Sequence, residues 1–194
     1  MQEVFYEECA KCANYKKEKT KYSIVNLMSY LSFALAILWV FIVINFVNIK
    51  NVNIVLTLVV NLIPSVIMLV AGILLFKFKN RFCIDYDYTF VSGSIRISKV
   101  VNNKNRFSLV KFNTEFIEKV GLSNSKEYNS YLNNPSIKQY VYTANQVPEE
   151  GKNFYYIVAV INSERRMIII ETTSHFIVNI LRFSKRSVRD QELV

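Results

Sequence analysis

The sequence predicts a membrane α-helical hairpin, two transmembrane helices, followed by an α+β domain of mainly antiparallel strands closed by a C-terminal helix. Three observations lead there. Across residues 23–78 the only charged residues are Lys50 and Lys77. From Phe82 onward, apolar residues recur at every second position in short runs separated by polar turns. After Thr173 the period lengthens to that of a helix.

The two apolar runs cover residues 23–47 and 52–76. At a rise of about 1.5 Å per residue, some 20 residues span a hydrocarbon core of roughly 30 Å, so either run crosses with some tilt. Only Asn48, Ile49, Lys50 and Asn51 separate them, and helices joined so briefly lie antiparallel, because lipid leaves no unpaired backbone group satisfied. The first run is too long and too far from the N-terminus for a cleaved signal peptide. Asn61, Pro64 and Ser65 near the middle of the second run, and Asn45 late in the first, are read as helix–helix hydrogen bonding and a proline kink. No ionisable residue sits at mid-bilayer depth, where it would mark an ion path.

Lysine and arginine set the orientation. Lys11, Lys16, Lys17, Lys19 and Lys21 precede the first span, Lys77, Lys79 and Arg81 follow the second, and the connection offers only Lys50. Positive flanks stay inside, so a multi-pass protein of the cell (plasma) membrane with both termini cytoplasmic is expected. The domains expected are a cytoplasmic, basic and amphipathic N-terminal segment (residues 1–22), the two-helix hairpin (residues 23–78) and a cytoplasmic β-rich domain (residues 79–194). In the first segment Phe5, Cys9, Cys12 and Ala13 fall at helical spacing, so a helix on the membrane surface is expected there. Cys9 and Cys12 form a Cys-x-x-Cys pair, but no further cysteine or histidine accompanies it and no preceding strand is expected, so neither zinc nor thioredoxin-type chemistry is assigned. Cys83 makes the count three, which fits a reducing compartment better than a disulfide framework.

The β-pattern begins with Phe82, Ile84, Tyr86, Tyr88 and Phe90 alternating with Cys83, Asp85, Asp87 and Thr89. That is a half-buried strand, with the two aspartates expected on its solvated face. Turns follow at residues 92–94 and 102–105, with Ile95 and Ile97 on the strand between and another strand over 106–112. A strand of ambiguous period covers 114–120, a short helix 126–132, and strands 137–143, 154–161 and 165–171. Thr172, Thr173 and Ser174 supply N-cap hydroxyls for a helix carrying Phe176, Ile177, Ile180, Leu181 and Val188. Arg182, Lys185, Arg186 and Arg189 lie towards its C-terminus, where the helix dipole favours cations.

About seven strands capped by one amphipathic helix is the order of a pleckstrin-homology-like (PH-like) barrel, an analogy of fold that carries no function. Two spans, then Asp85-Tyr-Asp-Tyr-Thr89, then Gly93, Ile95, Ile97 and a basic turn with Lys104 and Arg106, resemble an uncharacterised family of small bacterial two-span membrane proteins with a C-terminal PH-like β-domain. Phe5 and Glu7 fit the same pattern. The chain departs from it by a Ser92-Gly93 turn and a thinner basic cluster. The resemblance implies architecture and no activity.

No nucleophile elbow, phosphate loop or metal-spaced cluster appears, and His175 stands alone at a helix start, so no catalytic, cofactor-binding or metal residue is assigned and no cofactor is expected. The net charge of +9 suits anionic lipid or a topology signal better than nucleic acid, since the tyrosines sit at core-packing positions. Lys77, Lys79, Arg81, Lys104 and Arg106 are the residues expected to contact lipid or a partner, at about 1 kcal/mol per cation near an anionic surface. The expected function is therefore a membrane-anchored cytoplasmic interaction or scaffolding module. Its partners are membrane lipid and a protein partner or second copy, with no nucleic acid and no small-molecule substrate identified. The alternative is a small subunit of an oligomeric membrane transport or signalling complex.

Overall fold

The computed structural model describes residues 4–46, 54–184, 188–190 and 192. The chain divides into two compact units, one of Lys16–Cys83 and one of Met1–Tyr15 with Ile84–Val194.

The first unit contains helices α1 (Tyr15–Phe46) and α2 (Ile54–Phe78), the second followed by a 3-10 turn at Lys79–Arg81. Both are long and apolar enough to cross a membrane. Their side chains face outward over most of the surface, Ile37 being 72% exposed. The contact between them is small and polar. Ser29 Oγ donates to the Gly72 carbonyl (3.0 Å), Ser32 Oγ to that of Met68 (2.6 Å) and Trp39 Nε1 to that of Asn61 (2.9 Å). As α1 advances from 29 to 39, its partners on α2 retreat from 72 to 61, so the helices are antiparallel. Gly72 is needed at the contact, because a Cβ there would lie 2.7 Å from the Phe33 ring. Pro64 stands inside α2, where it withdraws an N–H and crowds the carbonyls of the preceding turn. Trp39 gives one of them, Asn61, a donor from the neighbouring helix. The expected connection containing Lys50, with Val47 and Val52 at the ends of the two apolar runs, lies outside the described residues.

The second unit has two four-stranded sheets. Sheet A is ordered β1 (Phe5–Ala10), β2 (Ile84–Val91), β3 (Ser94–Val101) and β4 (Asn105–Asn113), all antiparallel. Sheet B is ordered β5 (Ile117–Leu122), β7 (Asn153–Ile161), β8 (Glu164–Thr172) and β6 (Lys138–Tyr142), with β6 parallel to β8. A short helix α3 (Lys126–Leu132) follows β5, and α4 (Ser174–Phe183) follows β8. The two-residue turns at Ser92-Gly93 and Asn162-Ser163 have positive φ at both positions, which matches the twist of hairpin strands. Tyr88, Phe90, Ile95 and Ile97 of sheet A meet Ile157, Ile168 and Ile170 of sheet B, and α4 inserts Phe176, Ile177 and Ile180. The Tyr88 hydroxyl donates to the Tyr142 carbonyl (2.6 Å) and accepts from Glu171 N (3.2 Å), so it ties β2 to both β6 and β8.

The structure corrects three expectations. Residues 5–10 form strand β1 rather than a surface helix, since Phe5 to Ala10 pair with Val91 to Tyr86; the helical part of the N-terminal segment starts at Tyr15. Asp85 and Asp87 are not on a solvated face but 4% and 6% exposed, because their neighbours crowd them: Cys9 of β1 stands beside Asp87, Arg106 pairs with it, and Cys12 of the linker donates to Asp85. The last helix ends at Phe183, and Val188 and Arg189 are not part of it. Instead residues 188–190 run along β5, where Val120 N donates to the Val188 carbonyl and Asp190 N to the Val120 carbonyl, both at 2.8 Å. Backbone groups on the edge of sheet B gain partners that way, which a continued helix would leave unpaired. Lys185 and Arg186 lie outside the described residues.

Candidate functional site

The chain leaves the β-domain after β1 and returns to it at β2, and these two strands are hydrogen-bonded neighbours. The whole of residues 11–83 is thus an insertion where a β-turn would otherwise stand. Register shows which end of sheet A bears it. Ala10 faces Tyr86, Ile84 faces Val101, and Val101 faces Asn105. The β3–β4 turn, Asn102-Asn103-Lys104, therefore lies at the end of the sheet where the insertion departs and returns. Asn103 Nδ2 reaches the Tyr15 hydroxyl (3.4 Å) there.

The linker between β1 and α1 is held by side chains from three parts of the domain. Asp85 Oδ1 accepts from Cys12 N (2.8 Å). Asn145 accepts from Ala13 N through Oδ1, and its Nδ2 donates to the Lys11 carbonyl, both at 2.8 Å. The same Nδ2 reaches the buried Glu171 carboxylate (2.9 Å), which also accepts from Glu149 N. Lys152 Nζ donates to the Cys9 carbonyl (2.8 Å). One strand earlier, Glu8 accepts from Thr173 N (2.9 Å) and from the hydroxyls of Thr172 and Thr173. Thr173 is the N-cap residue of α4, but its hydroxyl makes no cap hydrogen bond and donates to Glu8 of β1 instead, unlike the expected N-cap role.

The five expected cations divide between the units. In the helical unit, Lys77 and Arg81 are exposed, whereas Lys79 is only 7% exposed. Lys79 Nζ donates to Asn26 (2.8 Å) and lies 3.4 Å from the centre of the Phe76 ring. In the β-domain, Lys104 is exposed on the β3–β4 turn. Arg106 is largely exposed but ion-paired, with Nη2 2.7 Å from Asp87 Oδ2 and Nη1 3.6 Å from Glu7. Asp87 Oδ2 takes no well-directed hydrogen bond, so the pair is a contact of charges. Beside these, β4 is an edge strand exposing Phe107 and Leu109, apolar residues that the charge pattern did not single out.

Cys9 lies opposite Asp87 in the β1–β2 register. Burial, then a hydrogen bond and charge from Asp87, push its thiol up to about 12. It stays protonated at neutral pH, which is the reverse of an activated thiolate, although β1 does precede the Cys-x-x-Cys pair. Among the described residues no group of three or more His, Cys, Asp or Glu side chains is placed to hold a metal ion. His175 is exposed in the first turn of α4.

Two sheets closed by a C-terminal helix, joined to two long apolar helices, define a PH-like domain protein with a helical hairpin. The family described as Bacterial PH-like domain (DUF6106) matches residues 2–190, and the chain belongs to it. The match begins before β1, in keeping with that strand being part of the domain. Comparison with curated proteins and with solved structures finds no match.

Proposed function

We propose that the chain is a membrane-anchored interaction module that holds its PH-like domain at the cytoplasmic face, with both termini cytoplasmic. One observation carries the reading: both ends of the apolar helical hairpin connect to adjacent strands of one sheet. Whichever way the hairpin inserts, its two ends leave on the same side, and the strands they join follow within a few residues along the chain. The lysines of the first turns of α1, with Lys77 and Arg81 after α2, assign that side to the cytoplasm. The PH-like fold, so placed, supports recognition as the task of the domain.

Of the expected cations, Lys77, Arg81 and Lys104 are the ones presented to anionic lipid, each worth about 1 kcal/mol at the surface. Arg106 and Lys79 act mainly through their partners Asp87 and Asn26. The test is hydrogen exchange of the full chain in nanodiscs of neutral or anionic lipid at low and high salt. Protection of residues 102–107 that appears only with anionic lipid and fades in salt supports lipid contact. Equal exchange in all four conditions sinks it and leaves a protein partner as the occupant of this end.

A further inference from the structure

We propose that the outer edge of β5, with Gly121, Ser125 and Tyr156, is a docking site for an extended peptide of the pattern apolar-x-Asp. Residues 188–190 of the chain occupy it as an intramolecular ligand. β5 is the end strand of sheet B, paired only to β7 within that sheet. Its other side accepts and donates one backbone hydrogen bond each, through Val120, to residues 188 and 190 in parallel register. Side chains on this three-residue strap alternate as in peptides added to a sheet edge: Val188 and Asp190 are each 1% exposed, and Arg189 between them is exposed.

The reading of Asp190 is specific. Its Oδ2 accepts from Ser125 Oγ and from the Tyr156 hydroxyl, both at 2.7 Å, while Oδ1 takes the backbone N–H of Glu192 (3.2 Å). Gly121 leaves the room: a Cβ there would collide with the Asp190 carboxylate and lie 2.6 Å from the Tyr156 ring. Lys119, two positions earlier on β5, adds a favourable charge. An amide that kept its oxygen on the two hydroxyls would turn its NH2 toward the Glu192 N–H and lose the charge that Lys119 favours. The strap is held by one bridge, the buried Val188 and the bonds to Asp190, all of which a second copy of the same pattern would reproduce, whereas β7 is paired along nine residues.

This deepens the reading of the domain as an interaction module and rests on that reading alone, not on lipid contact or orientation. The experiment therefore contains no bilayer. Full chain in detergent is titrated into a fluorescein-labelled peptide of residues 187–193, and anisotropy is followed. The chain carrying Asp190→Ala, whose own strap is loosened, is expected to bind the peptide at least about ten-fold more tightly than wild type. Adding Tyr156→Phe or Ser125→Ala to it should weaken binding about ten-fold, as should a peptide with Asn at the Asp190 position. Absence of binding to a folded Asp190→Ala chain overturns the proposal, as does equal binding of the Asn peptide. A second variant ending at residue 187 makes the same measurement. If both variants lose native circular dichroism, residues 188–190 are an integral strand and the proposal falls. Failure here leaves the lipid result standing, and the reverse holds too.

Discussion

Glu8 joins parts of the chain separated by 164 and 165 residues, and its carboxylate ties down Thr172 and Thr173, the residues that lead into α4. Substituting Glu8→Ala leaves Thr173 N and two hydroxyls without that acceptor, and should lower stability by about 1–2 kcal/mol in denaturant titrations of the detergent-solubilised chain. Tyr88→Phe removes a buried hydroxyl that serves two backbone groups and should cost about 1–3 kcal/mol by the same measurement. Asp190 carries a pH dependence. Burial pushes its carboxyl up, but hydrogen bonds from Ser125 and Tyr156 outweigh this and hold it below the ordinary aspartate value. A depressed folded-state value contributes stability that is present above the unfolded value near 3.8 and is lost as pH falls through the lower folded one. Protection of the Val120 amide, taken relative to its intrinsic exchange rate at each pH, should therefore fall on acidification below about pH 4, and Asp190→Asn should flatten that fall. Little of this was legible in the sequence. Alternation placed Asp85 and Asp87 opposite the tyrosines correctly, yet whether that face meets water depends on β1, a partner more than seventy residues away.

At the scale of elements, the strands and turns from β2 to β8 followed their sequence patterns closely, except that the strand expected over 114–120 is shifted to Ile117–Leu122 behind a 3-10 turn at Thr114–Phe116. Ser92-Gly93 and the Asn-rich turns take the left-handed backbone their residues favour, and α3 sits where the short polar helix was expected. Two elements departed. The run Phe5 to Ala10 offers apolar residues at both strand and helical spacings, and six residues are too few for either period to win; only the non-local pairing with β2 decides. Val188 fits the helical period of α4, but the unpaired edge of β5 takes the backbone instead. Within the hairpin, the place of Pro64 inside a helix was legible, whereas the donor supplied by Trp39 to the Asn61 carbonyl depends on helix register. Trp39→Phe should destabilise the hairpin by roughly 1 kcal/mol, seen as a lower melting midpoint in detergent, with the β-domain's own transition unchanged.

For the molecule as a whole, the insertion of a helical hairpin between two paired strands means that residue order and domain limits do not coincide. A fragment starting at Asn80 lacks β1, hence Ala10 from the core, Glu8 from α4 and the whole upper edge of sheet A. It should melt about 10 °C or more below a chain in which residues 12–83 are replaced by a short glycine-containing turn. Circular dichroism of the two proteins makes that comparison; equal midpoints would mean that β1 adds nothing to the domain. The cations were found by sequence because charge needs no partner to be read, while their pairing with Asp87, Glu7 and Asn26 appeared only in three dimensions.

Both ends of the hairpin and the PH-like domain that joins them are proposed to lie on one side of the membrane. Labelling with a membrane-impermeant maleimide in intact cells tests it most directly, using chains with Cys9, Cys12 and Cys83 replaced by serine and a single cysteine at Lys50→Cys or Lys104→Cys. Position 50 should be labelled from outside and position 104 only after permeabilisation, both in protein that resists alkaline extraction. Labelling of position 104 in intact cells, or release of the chain by alkali, would contradict it.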